Sequence, residues 1–141
     1  MSVESIVIAT DLNKTFKAEQ KDLDDVQALQ GINMQIKAGQ LTALVGPDGA
    51  GKTTFLRLIA GLYKPTAGSL EVLGMDVAKD PQSVQDRISY MPQKFGLYED
   101  LSIQENLDLY ADLHGVPMNV RKERFARLLK ITDLARFTER P

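Results

Sequence analysis

Nine consecutive residues, Gly46-Pro47-Asp48-Gly49-Ala50-Gly51-Lys52-Thr53-Thr54, carry the densest chemistry in the chain. They satisfy the pattern G-x-x-x-x-G-K-[ST], each part of which answers a need of a polyphosphate. Glycines let successive backbone N–H groups turn inward around phosphate oxygens, and nothing bulky blocks the approach. A helix that starts at the end of the loop adds the partial positive charge of its N-terminus. Lys52 is then placed to reach the β- and γ-phosphates, and the Thr53 hydroxyl to ligate Mg²⁺. The segment is expected to bind a nucleoside triphosphate together with its metal. The plainer reading is a glycine-rich turn with an exposed lysine, and the flanking elements argue against it.

Leu41-Thr42-Ala43-Leu44-Val45 reads as a buried strand feeding the loop, and Phe55 to Gly61 as the helix leaving it. Upstream, Ser5 to Ala9 opens as a strand. Lys17 to Asp25, including Lys21-Asp22-Leu23-Asp24-Asp25, reads as an exposed hairpin loop, and Gly31 to Ile36 alternates apolar and polar as a half-buried strand does. Ala38-Gly39-Gln40 is a tight turn. Downstream, Lys64-Pro65-Thr66-Ala67-Gly68 has turn chemistry, and Ser69 to Leu73 is a strand. Asp80-Pro81 is an N-cap and first-turn pair for a short helix to about Arg87, followed by a strand from Ile88 to Met91. Ser102-Ile103-Gln104-Glu105 is a capping box opening a helix to about His114, stopped by Gly115, with Ile103, Leu107, Tyr110 and Leu113 on its apolar face. A second helix, from about Asn119 to Ile131, carries Val120, Phe125, Leu128 and Leu129, so two short-linked helices form a small helical lobe.

With 141 residues the chain is one domain or part of one, and 43% hydrophobic with 26% charged residues is the balance of a soluble globular protein. The 17 basic and 19 acidic residues are mixed along the chain, which leaves no electrostatic footprint for nucleic acid or an anionic membrane. Arg121-Lys122-Glu123-Arg124 is broken by an acid and reads as a solvated helix face. The lack of cysteine excludes disulfides, thiolate metal sites and cysteine nucleophiles, and fits a reducing compartment. No signal peptide is apparent, and no run approaches the ~20 apolar residues that span a bilayer.

Four segments together resemble the ATP-binding subunits of ABC transporters. They are Ala28-Leu29-x-Gly31-Ile32-Asn33-Met34-x-Ile36-x-Ala38-Gly39, Leu44 to Thr54, Gly61-Leu62-x-x-Pro65-x-x-Gly68, and Tyr90-Met91-Pro92-Gln93. Phe95-Gly96-Leu97-Tyr98-Glu99-Asp100-Leu101-Ser102 with Glu105-Asn106-Leu107 is most similar to the bacterial exporter branch, multidrug efflux ATPases included. The resemblance implies an α/β P-loop NTPase fold of the ABC ATPase type: an N-terminal antiparallel β subdomain, a phosphate-loop core and the start of a helical subdomain. It implies that residues 1–141 are the N-terminal part of one nucleotide-binding domain, with the β subdomain and loop core over 1–93 and the helical subdomain over 94–141.

By position, the resemblance assigns Gly46, Pro47, Asp48, Gly49, Ala50, Gly51, Lys52, Thr53 and Thr54 to ATP, and Thr53 and Gln93 to Mg²⁺. Phe16 falls where the family stacks an aromatic on adenine, usually Tyr, and Val26 or Ala28 would line the same base pocket. Two partners are implied: a second nucleotide-binding domain, and a transmembrane subunit whose coupling helix would meet Lys94 to Leu101, with Phe95, Leu97 and Tyr98 as apolar anchors. The protein would then be cytoplasmic and peripheral to the inner membrane through that partner, with no nucleic acid involved.

Asp48 stands where many relatives have Asn or Ser. A carboxylate near a triphosphate repels it, unless its side chain bonds its own loop backbone as Asx turns do. The family's signature with adjacent glycines, the acidic strand with its catalytic glutamate, and the switch histidine have no counterpart here, and His114 is no substitute. Ile6-Val7-Ile8-Ala9-Thr10-Asp11 imitates the acidic strand but precedes the loop. The chain therefore reads as truncated before the signature, able to bind ATP without turning it over. Three other readings stay open: a soluble ABC-type ATPase not coupled to transport, a non-catalytic nucleotide-binding module, and a small-metabolite kinase.

Overall fold

The computed structural model describes residues 4–18, 20, 23–94 and 96–140. Strand β1 runs Ser5–Phe16 and pairs antiparallel with β2, Val26–Lys37, so both continue well beyond the stretches of clean alternation. The polar residues that hide this continuity sit at a bulge, where the register shifts between Ala9 and Leu12 and Asp11 has φ 44°. A bulge leaves backbone groups without ladder partners. Asparagine side chains take their place: Asn33 Oδ1 accepts from the Asp11 N–H at 3.0 Å, and Asn13 Oδ1 accepts from the Gly31 N–H at 2.9 Å. The connection between the strands is tied by Lys17 to Asp25 at 2.9 Å, while Lys21 and Asp22 lie outside the described residues.

Strand β3, Ala67–Val72, joins the other side of β1, and β4, Met75–Asp76, completes a four-stranded antiparallel sheet of order β2-β1-β3-β4. Helix α1, Lys52–Ile59, lays Phe55 and Leu58 onto this sheet, where they meet Leu12, Leu29 and Leu70 in one core. It ends where the sequence has Gly61: the Gly61 N–H reaches Leu58 O at 3.0 Å and the Leu62 N–H reaches Arg57 O at 2.9 Å, with Gly61 at φ 67°. These two bonds are a Schellman termination, which needs a left-handed residue at that place. Helix α2, Pro81–Gln85, is capped by Asp80, whose carboxylate accepts from the Ser83 N–H at 3.1 Å, and it adds Val84 to the core.

Two expected strands do not form. Residues 41–45 are irregular and exposed, with Leu41 fully accessible and Val45 at 89%. Residues 88–91 are likewise irregular. An apolar run becomes a strand only when neighbouring backbones accept and donate its ladder bonds. Among the described residues β1 is already paired on both sides, by β2 and β3, and no strand lies beside 41–45.

The chain divides into two compact units, one ending at Tyr90 and the other beginning at Met91. In the second unit, α3 spans Ile103–Leu113 and α4 spans Met118–Ile131. The Asn106 amide donates to the carbonyls of Tyr98, Leu101 and Ser102, and its oxygen accepts from the Tyr98 N–H at 2.9 Å, so one buried side chain shapes the loop before α3. Arg121 is buried between the helices and donates to Val116 O at 2.8 Å and Asp112 Oδ1 at 2.6 Å. Leu113 and Leu128, expected on apolar faces, are exposed.

The capping box forms as read. Ser102 Oγ accepts from the Glu105 N–H at 3.3 Å, and the Glu105 carboxylate accepts from the Ser102 N–H at 2.8 Å. The Ser102 backbone N–H first, and its hydroxyl second, hold the Glu105 carboxyl below the usual carboxylate range. A carboxyl depressed in the folded state contributes stability above its unfolded value and loses it as pH falls through the folded one. The start of α3 is therefore expected to fray as the pH falls below about 5. Circular dichroism of Glu105→Gln should show less helix loss over that window than the parent. Equal loss in both chains would remove Glu105 as a cause.

Candidate nucleotide-binding site

The phosphate loop takes its shape from two glycines in the left-handed region and from strand β2. Gly49 has φ 81° and Gly51 φ 83°, conformations that side-chain-bearing residues avoid. The Ala50 N–H closes the turn onto Pro47 O at 3.3 Å. A Cβ on Gly51 would lie 2.5 Å from Ala28 O and 2.8 Å from Leu29 Cδ2, so the chain enters α1 in direct contact with β2. Gly51 is the N-cap of α1 and supplies no side-chain acceptor, which leaves the first-turn N–H groups of the helix available to an anion.

Lys52, the first residue of α1, folds back across the loop. Its ammonium donates to Gly46 O at 2.7 Å and to Pro47 O at 2.6 Å. An ammonium has three donors, so one remains for a phosphate oxygen after both carbonyls are satisfied. Thr53 and Thr54 follow, half-buried in the first turn of α1. The donor set fits a polyphosphate, and a neutral hydroxyl such as that of Thr53 suits Mg²⁺, a hard cation usually carried by nucleotide phosphates and water.

Asp48 does not form the Asx bond expected of it. It is exposed, and among the described residues its carboxylate accepts no hydrogen bond and pairs with no cation. The backbone bond from Ala50 to Pro47, with Gly49 supplying the positive φ, closes the turn without it.

Phe16 ends β1 opposite Val26 and packs edge-on against Tyr63 at 5.3 Å, with the Lys14 ammonium 5.0 Å from its ring centre. Val26 is exposed, and Ala28 is half-buried with its carbonyl against Gly51. Gln93 lies on an exposed irregular segment of the second unit. Leu97 and Tyr98 of that unit border an apolar hollow of about 460 Å³, with Leu101, Ile103, Leu107 and Leu128. Phe95 lies outside the described residues.

Sequence reasoning overlooked Tyr63. Its hydroxyl is held by Arg57 at 3.1 Å, and its ring shares Lys14 with Phe16, so two aromatics and two cations form one cluster. Lys14 and Phe16 stand two apart on one strand, the only signal the sequence offered. Tyr63 follows a helix stop, where periodicity carries no information.

A glycine-shaped loop with an inward lysine, leading into a helix that packs on a sheet, defines the phosphate-loop NTPase class. Residues 29–141 match the family described as ABC transporter, and the chain belongs to that family. It is 47% identical over 137 residues to the probable multidrug ABC transporter ATP-binding protein YbhF of Escherichia coli (strain K12), covering 97% of this chain and 23% of that protein. It is 36% identical over 121 residues to the daunorubicin resistance ATP-binding protein DrrA3 of Streptomyces coeruleorubidus, covering 86% of this chain and 38% of that one. The chain thus spans well under half the length of these curated relatives. The fold matches a dimeric post-hydrolysis state of the ATP-binding cassette MJ0796, bound to ADP and Pi, with a TM-score of 0.79 at 26% identity over 95% of this chain and 60% of that one. Among the described residues, no helix is long and apolar enough to cross a membrane.

Proposed function

We propose that the chain holds ATP with Mg²⁺ on Gly46 to Thr54, as the phosphate-binding part of an ATPase that drives export through a transmembrane partner. The observation that carries this reading is the Lys52 ammonium, held inside a loop that only Gly49 and Gly51 let close. In this reading the loop N–H groups and the α1 N-terminus take up phosphate charge, Lys52 bridges the β- and γ-phosphates, and Thr53 contributes an oxygen to the metal. Bound Mg²⁺ would neutralise charge on the phosphates during transfer. Phe16 stacks on the base while Tyr63 and Lys14 hold its ring in place.

A second nucleotide-binding domain completes the site, as the dimeric state of the matched cassette suggests. The apolar residues Leu97 and Tyr98 meet the membrane partner, which places the protein on the cytoplasmic face. The names of YbhF and DrrA3 support export of drug-like substrates. Calorimetry with MgATP tests the core of this reading. The parent chain should bind, Lys52→Ala should bind at least about fifty-fold more weakly, and neither should release phosphate. Equal affinity in the two chains would overturn it.

A further inference from the structure

We infer that Asp48 makes this loop select metal-complexed over metal-free nucleotide, an inference that rests on the nucleotide reading above. Asp48 is the only acidic residue between Asp25 and Glu71, a stretch that carries Lys37, Lys52, Arg57 and Lys64. That single acid stands in the phosphate loop itself. It is not there to close the turn, because the Ala50-to-Pro47 backbone bond does that. It does not neutralise Lys52 by contact, because the ammonium donates to the Gly46 and Pro47 carbonyls and no ion pair joins the two side chains. An exposed carboxylate, without a partner among the described residues, therefore remains within the loop segment.

Its effect is electrostatic. The carboxylate opposes the attraction that Lys52 exerts at a distance, and leaves the short-range N–H bonds to hold the phosphates. ATP without metal carries about four negative charges at neutral pH, and its Mg²⁺ complex about two. Unit charges about 8 Å apart in high dielectric change an affinity about twofold each. Metal-free ATP is thus penalised about fourfold more than MgATP at low salt, and about twofold more at physiological ionic strength, where screening intervenes. Asp48 acts as a filter against bare nucleotide rather than as a ligand to the metal.

The test is calorimetry on the full chain, on Asp48→Asn, and on Asp24→Asn as a control for overall charge. Each is titrated with ATP plus Mg²⁺ and with ATP plus a chelator, at low and at high salt. Asp48→Asn should tighten the chelator arm more than the Mg²⁺ arm, lowering the ratio of the two affinities about fourfold at low salt and little at high salt. Asp24→Asn should leave the ratio unchanged. Asp48→Ser provides the same comparison with a shorter side chain. An unchanged ratio in both Asp48 variants overturns the inference. So does weakening confined to the Mg²⁺ arm, which would make Asp48 a metal ligand. If the parent binds MgATP and Lys52→Ala does not, such results condemn the Asp48 assignment alone. If the parent binds neither form, the nucleotide reading fails and takes the assignment with it.

Discussion

Gly68→Ala should lower the stability of the first unit by at least about 3 kcal/mol, an outright loss of fold in a marginal domain. Gly68 has φ 75°, which alone disfavours any side chain by about 1–2 kcal/mol. Position matters more. A Cβ there would overlap the carbonyl of Asp11 and lie 2.6 Å from Thr10 O. Both atoms are backbone, in the stretch where β1 bulges and pairs with β3, so they cannot yield without breaking the ladder. Gly74→Ala supplies the comparison, because Gly74 has the same φ of 75° and nothing within 4 Å of the added carbon. In urea unfolding, the gap between the two variants isolates the steric part from the conformational part. A Gly68→Ala midpoint no lower than that of Gly74→Ala would show that the bulge gives way.

Gly51→Ala should lower stability by about 2–4 kcal/mol and abolish measurable MgATP binding together. The added carbon would meet Ala28 O at 2.5 Å and Leu29 Cδ2 at 2.8 Å, with φ at 83°. The Leu29 methyl group can rotate aside, but the Ala28 carbonyl is backbone of β2, at the register shift between the Leu29–Lys14 and Gln27–Thr15 pairs, and moves only with that strand. Relief therefore comes from moving the loop, and the N–H groups at the start of α1 move with it. Gly49→Ala is the informative partner. Its φ is 81° but no atom lies within 4 Å of the new carbon, so it should weaken binding with a smaller loss of stability. Urea unfolding and calorimetry on both variants check this. Full binding by Gly51→Ala would show that the contact with β2 does not shape the loop.

Features set by neighbours in sequence are legible in the residues themselves. The turn at Gly49 and Gly51, the Asp80 cap, the Ser102–Glu105 box and the stop at Gly115 each depend on a few adjacent residues. What escapes such a reading depends on distant partners. Leu41 to Val45 has the composition of a buried strand, but a strand exists only where another backbone lies beside it, and composition cannot report that. β1 and β2 run longer than their alternation because Asn13 and Asn33 bond across a bulge, and polar residues in a strand look like its end. The Asp48 side chain has the chemistry to brace its own turn, but the backbone already fills that role. Tyr63 joins Phe16 only through the folding of a turn onto a strand.

The seat of Gly51 on Ala28 also dictates an order of events during folding. The β1–β2 hairpin joins strands that are consecutive in sequence, through residues 17–25, so its contacts are more local than those of the loop with β2 and can form first. The phosphate loop has no comparable local nucleus, because nothing selects the left-handed state of its glycines until β2 offers a surface to lie against. A chain synthesised from its N-terminus presents that surface before the loop has emerged. The hairpin is thus a mould, made first, against which the segment that meets the phosphates is later cast.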